Sequence, residues 1–201
     1  MNRWCTALAS SLCAVVTSSV VQAAAQAEPQ TSSDVAARQA LEARIRAASE
    51  LGPQQAALAK YLGRWNVDIA LPGASVHSKG TAEYSWVIEG RWLGCRIKGT
   101  MLGQPFEEFT ILGYDSYAKE TVEVSVESAD NSMLMARGSS AGSARAASVL
   151  FGELDEYFSG SLHRPYKVVL RWLNARRHVT EVWDVGAGEM PIEKVVFTFT
   201  R

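Results

Sequence analysis

The side chains able to do chemistry in this sequence are two groups of carboxylates, three histidines and a cysteine set among strand-like residues. Glu107 and Glu108 are adjacent, and Glu153, Asp155 and Glu156 form a second acidic group. Successive residues of a strand face opposite sides. Regular pairing therefore turns one of Glu107 and Glu108 inward, and likewise one of Asp155 and Glu156. A carboxyl enclosed by apolar side chains holds its proton to higher pH and can act as acid or base. The alternative is a hydrated polar rim. Glu181 shares a face with Val179, Trp183 and Val185, and its expected cross-strand partner is Arg171 or Arg96.

His77, His163 and His178 fall in different hairpins and show no H-x-x-x-H or H-E-x-x-H spacing, so no metal centre is expected. Cys95 lies in the apolar alternation Leu93-Cys95-Ile97 and reads as a small buried hydrophobe rather than a nucleophile. Gly138-Ser139-Ser140 precedes no strand-to-helix elbow, so no nucleophilic serine is expected there. No catalytic residue is designated. The richest set is apolar: Trp65, Tyr84, Trp86, Phe109, Met133, Met135, Phe151, Trp172 and Phe197 are read as one inward face. Tyr84, Trp86, Phe109, Met133, Met135, Phe151 and Trp172, with Glu181 and Trp183, are the expected ligand-lining residues. The alternative is that these side chains simply fill a core.

The elements that must position them follow from the hydrophobic period. The chain has 201 residues, 20 Lys and Arg against 21 Asp and Glu, and 47% hydrophobic residues. That composition excludes a disordered chain, and the near-neutral charge excludes a basic nucleic-acid surface. Residues 1–23 read as a secretory signal peptide: Arg3 is followed by an uncharged run from Cys5 to Val21, with Val21-Gln22-Ala23 as cleavage site and Ala25-Gln26-Ala27 as a second option. A retained membrane anchor is the alternative, but the run is short for a ~30 Å hydrocarbon core. Cleavage removes Cys5 and Cys13, so an exported chain keeps Cys95 alone and forms no internal disulfide. Residues 24–33 are a polar spacer, and residues 34–62 a helical lead-in. Ser32 or Ser33 is its cap, and Gly52-Pro53 divides two helices.

From Gly63 the period changes from 3.6 to 2. The alternating segments are centred on Trp65-Leu71, Tyr84-Ile88, Leu93-Ile97, Phe109-Ile111, Val122-Val126, Met133-Met135, Val149-Phe151, Tyr166-Trp172, Val179-Trp183 and Val195-Phe199. In the fifth, Val122-Val124-Val126 is read as the apolar face and Glu123-Ser125-Glu127 as its opposite. No long helix separates them, which excludes parallel crossovers. The expected fold is mainly β: about ten antiparallel strands over residues 63–201, closed into an up-and-down barrel. A membrane barrel is disfavoured by Glu and Lys on the presumed outer face.

Several short motifs then carry a resemblance. Leu62-Gly63-Arg64-Trp65, Leu71-Pro72-Gly73, Glu89-Gly90-Arg91-Trp92-Leu93, Gly103-Gln104-Pro105-Phe106, Leu112-Gly113-Tyr114-Asp115 and Phe199-Thr200-Arg201 together resemble domain-of-unknown-function family 1579. The opening is also similar to that of calycin barrels: lipocalins, fatty-acid-binding proteins and nitrobindins. The resemblance implies a calycin-like barrel, usually exported, with no established activity. It also implies that Arg201 lies across Trp65 and closes one end. Nitrobindins hold haem through a histidine near the C-terminus; residues 193–201 contain none, so haem is not expected and no other cofactor is implied. His178 would have to substitute from a neighbouring strand.

The reading is an exported barrel binding an apolar small molecule in its lumen. The alternative is a cofactor-free isomerase, cyclase or hydratase using the lumen as its chamber. No nucleic-acid partner and no stable membrane insertion after cleavage are expected. The sequence does not specify an oligomeric state.

Overall fold

The computed structural model describes residues 31–139, 147–156, 160–186 and 192–201. The expected signal peptide, residues 24–30 of the spacer and most of the small-residue loop after Gly138 lie outside the described residues. The first helix, α1 (Ser32–Ser49), begins earlier than expected, because Thr31 rather than a serine caps it. The Thr31 hydroxyl accepts from the Asp34 amide, and the Asp34 carboxylate accepts from the Thr31 amide and hydroxyl. No residue of α1 is buried. The second helix, α2 (Pro53–Leu58), starts on proline, where a missing amide costs nothing, and runs into a 3₁₀ turn over Ala59–Tyr61.

Ten strands follow: β1 (Gly63–Leu71), β2 (Val76–Ile88), β3 (Trp92–Met101), β4 (Gln104–Asp115), β5 (Glu120–Glu127), β6 (Met133–Ser139), β7 (Ser148–Glu156), β8 (Ser161–Asn174), β9 (Arg177–Asp184) and β10 (Ile192–Thr200). Each is antiparallel to its sequence neighbours, and β1 pairs with β10, closing an up-and-down barrel. Closure leaves no strand edge unpaired.

The register determines the contents of the barrel, since directly opposed residues share a face. Ile97, Cys95 and Leu93 on β3 are buried, and their partners on β4 are Glu108, Thr110 and Leu112. Those three in turn oppose Glu127, Ser125 and Glu123 on β5. Glu123 and Ser125 oppose Ala136 and Leu134 on β6, and Ala136 opposes Gly152 on β7. Gly152 and Leu150 oppose Tyr166 and Val168 on β8. The same face continues through Val182, Thr180 and His178 on β9 and Phe197 and Phe199 on β10.

Register therefore corrects the expected inward set. Phe109, Met133, Met135 and Phe151 lie on the outer face; the last three are 64%, 47% and 56% exposed. Arg96 sits over the Phe109 ring from outside, 5.0 Å from its centroid. On β5 the expected faces are exchanged: Glu123, Ser125 and Glu127 point inward, and Val126 is exposed. Met133-Leu134-Met135-Ala136 and Val149-Leu150-Phe151-Gly152 are apolar or small on both faces, so their own pattern does not settle which side is buried. Pairing with β5 and β8 settles it for Leu134, Ala136, Leu150 and Gly152.

Two glycines explain two of the quoted motifs. Gly63 has φ +106°, a conformation that disfavours a side chain, where the helical lead-in turns into β1. Gly113 opposes Trp92, and a Cβ at Gly113 would overlap the indole, so the tryptophan covers a strand glycine.

Candidate functional site

One end of the barrel is filled by rings. Tyr61, Trp65, Tyr84, Trp172 and Phe199 surround His178, which stacks on Phe199 at a centroid distance of 4.1 Å and meets Trp65 edge-on at 4.6 Å. Arg201 lies across Trp65 with its guanidinium carbon 4.1 Å from the ring centroid. Its Nε and Nη1 donate to the Ala175 and Leu62 carbonyls, each at 2.9 Å. The Trp65 indole donates to the Tyr61 carbonyl at 2.7 Å. Trp65 and Arg201 are thus in contact at this end of the barrel. His178 is 1% exposed, and its Nε2 has no hydrogen-bond partner. Burial, with the positive charges of Arg201 and Lys60 nearby, lowers its pKa to about 3, so the ring is neutral.

Beyond this plug the barrel is hollow. A cavity of about 230 Å³ has Leu134, Leu154, Val168, Val182, Val195 and Phe197 among its apolar walls. A second space of about 30 Å³ lies among Tyr61, Tyr84, Cys95 and His178. Glu108, Glu123 and Thr180 line both spaces. One water needs about 10–15 Å³ by the same kind of measure, so the larger cavity admits an organic molecule.

Glu108 accepts a hydrogen bond from the Thr110 hydroxyl at 2.8 Å. Burial, reinforced by Glu127 and opposed by Thr110, raises its pKa to about 7. Glu123 carries no side-chain hydrogen bond or ion pair from any described residue, and burial together with Glu108 raises its pKa to about 8. Glu127 is raised in the same direction by burial and by Asp130. At neutral pH the floor of the cavity thus holds carboxyls that keep protons, able to donate as well as accept. Asp184 at the cavity wall behaves oppositely. Its burial is outweighed by Arg164 at 2.8 Å, the Gly186 amide and Lys194 at 3.4 Å, which hold it below the usual carboxylate range. No group of three His, Cys, Asp or Glu among the described residues is placed to hold a metal ion.

Of the expected ligand-lining residues, Tyr84 reaches the inner space and Trp183 borders the larger cavity. Trp172 belongs to the aromatic plug, and Trp86 is half-buried against the core. Glu181 binds Arg171 at 2.7 Å and accepts from the Trp183 indole, while Lys167 lies 4.6 Å from the Trp183 ring centroid. Glu181, Arg171 and Lys167 form an outer-face cluster against the Trp183 indole, so the expected Arg171 partner is found, but outside the lumen. Of the paired carboxylates, Glu108 faces inward and Glu107 outward, where Arg96 and Lys98 bind it. Asp155 borders the cavity. Cys95 is 4% exposed, and burial pushes its thiol pKa up, as expected of an inert cysteine. The sequence reading missed Glu123, Ser125, Glu127 and Tyr166 as lumen residues; the alternation on β5 contained the signal, but its buried side was taken from hydrophobicity.

The fold and the site together define a calycin-like, ten-stranded up-and-down barrel with an acidic internal cavity. The chain belongs to the family described as protein of unknown function (DUF1579), whose model matches residues 50–201. No curated protein matches it. Among solved structures it is similar to the crystal structure of Rv2717c from M. tuberculosis, with a TM-score of 0.55 at 13% identity over 76% of this chain and 99% of that one. At that identity the likeness is one of fold. A redesigned beta barrel matches 76% of this chain and 98% of its own at 12% identity and a TM-score of 0.38.

Proposed function

We propose that this protein binds a small molecule in the lumen of its barrel, with the ligand's apolar body against the walls and a polar group at the floor. The observation that carries this reading is the 230 Å³ cavity, whose aliphatic and aromatic walls end at Glu108 and Glu123. Mostly apolar concavities with few convergent polar groups are how ligand sites are built. Saturable binding of the neutral probe N-phenyl-1-naphthylamine to the purified chain, followed by fluorescence, tests it. Leu154→Trp fills the cavity and is expected to abolish that binding while the β-sheet circular dichroism is kept. Absence of saturable binding by the unmodified chain overturns the reading.

A second reading is a cofactor-free isomerase, cyclase or hydratase. Its support is the Glu108–Glu123 pair, whose environments leave one carboxyl ready to give a proton and the other to take one near neutral pH. Turnover abolished by either Glu→Gln change, with ligand affinity retained, is the expected signature. We also infer export from residues 1–23. N-terminal sequencing of the chain recovered outside the cytoplasm is expected to begin at residue 24, or at residue 28 if the second site is used.

A further inference from the structure

We infer that the lumen ligand is an organic cation, an ammonium group on an apolar body, seated with its charge between Glu108 and Glu123. The inference rests on the lumen-binding reading and specifies its ligand class.

The charges around the cavity do not balance. Its lining holds Glu108, Glu123, Glu127, Asp130, Asp155 and Asp184, and the basic residue among its described lining is Lys194. Lys194 and Arg164 both engage Asp184. Asp130 accepts from the Ser132 amide and hydroxyl, and Asp155 from the His163 amide. That leaves Glu127, opposite Glu108, and the floor. Glu108 has one neutral hydroxyl donor, and the Glu123 carboxyl has no partner among the described residues. The neighbouring cations are spent outside: Arg96 and Lys98 on Glu107, Arg171 on Glu181. An unpaired carboxyl enclosed in a barrel is costly. A cation that displaces the floor's protons pairs with the ionised carboxyl, whereas a carboxylate ligand brings a further negative charge into the same enclosure. The walls set the rest of the molecule: they are apolar, and the space far exceeds one ion.

The titratable groups facing the pair supply no competing positive charge. They are Tyr84 from β2, Cys95 from β3, Glu127 on β5, Tyr166 from β8, His178 from β9 and Tyr61 below. Burial keeps the phenols and the thiol protonated and the imidazole neutral. A free lumen therefore holds protons on its floor at neutral pH, and an arriving ammonium displaces them. Binding is coupled to proton release.

Titration calorimetry of the full chain at pH 7 with hexylamine, hexanol and hexanoate tests the inference, each in two buffers of different ionisation enthalpy. Hexylamine is expected to bind at least about tenfold more tightly than hexanol, and hexanoate most weakly. The hexylamine heat is expected to report release of a fraction of a proton up to one. Glu108→Gln and Glu123→Gln, neutral isosteres of the protonated side chains, are expected to bring hexylamine within about threefold of hexanol. Hexanol or hexanoate binding as tightly as hexylamine overturns the cation and leaves the lumen reading standing. So does hexylamine affinity that both variants leave unchanged. If none of the three binds while N-phenyl-1-naphthylamine does, the cation is again overturned. If the naphthylamine fails as well, the lumen reading itself falls.

Discussion

Glu108 on β4 stands directly opposite Glu127 on β5, both facing the lumen. Like charges in directly opposed positions of an antiparallel pair repel. Glu123, two strand positions further along the same face as Ser125, adds a third carboxyl to that wall. The barrel accommodates them because burial holds protons on Glu108 and Glu123 to near-neutral pH and shifts Glu127 in the same direction, and the following consequences can be measured.

Stability is expected to fall as pH rises from about 5 to about 8.5. An unfolded glutamate titrates near 4.3, and Glu108 and Glu123 titrate near 7 and 8 in the folded chain. Between those values the native state holds the extra protons, so the unfolding free energy decreases with pH. Glu123→Gln is expected to flatten this slope and to raise Tm at pH 8.5 by on the order of 5 °C. Differential scanning calorimetry of both proteins at pH 5.5 and 8.5 checks it, and an unchanged slope in the variant counts against a buried, protonated Glu123.

His178 contributes with the opposite sign. Its folded pKa lies near 3, below the unfolded value of 6.5. Stability from the neutral ring is present above 6.5 and is lost as pH falls toward 3. His178→Phe retains a flat ring on Phe199 and removes the unpartnered nitrogen. It is expected to unfold at lower pH than the parent in an acid titration followed by tryptophan fluorescence.

Neighbouring residues on β7 are expected to differ sharply. Leu150 is 0% exposed and Phe151 is 56% exposed. Leu150→Ala leaves a core cavity and costs about 2–5 kcal/mol, whereas Phe151→Ala costs under about 1 kcal/mol. Urea midpoints of the two variants decide whether this face assignment holds; equal losses would contradict it.

The closed end is expected to depend on Arg201. Arg201→Met keeps an apolar stem over Trp65 but loses the cation and the donors to Leu62 and Ala175. The expected loss is about 1–3 kcal/mol, read as a lower urea midpoint with unchanged β-sheet signal. Because the aromatic plug is separate from the larger cavity, probe binding at low urea is expected to persist.

Much of the fold was legible in local pattern. Alternation located all ten strands, Gly52-Pro53 placed the start of α2, and the terminal arginine was paired with Trp65 through the family resemblance. Position within an element was harder to read. Thr31 took the cap expected of Ser32 or Ser33, since its hydroxyl reaches the Asp34 amide. On β4 to β7 the more hydrophobic alternate was assigned to the interior, and the barrel turned Phe109, Met133, Met135 and Phe151 outward.

By itself, then, the sequence determined the number of strands, the closure that follows from unbroken antiparallel neighbours, and the burial of Cys95 among Leu93 and Ile97. Those depend on period and on short-range chain connectivity. The tertiary structure alone decided which side of β5 is inside. A one-residue change of register exchanges the two faces of a strand, and in a closed barrel each strand inherits its face from the strand before it. Starting from Leu93, Cys95 and Ile97, that inheritance carried Glu108, Glu123 and Glu127 into the lumen and made an acidic chamber of a wall that hydrophobicity would have made of valine.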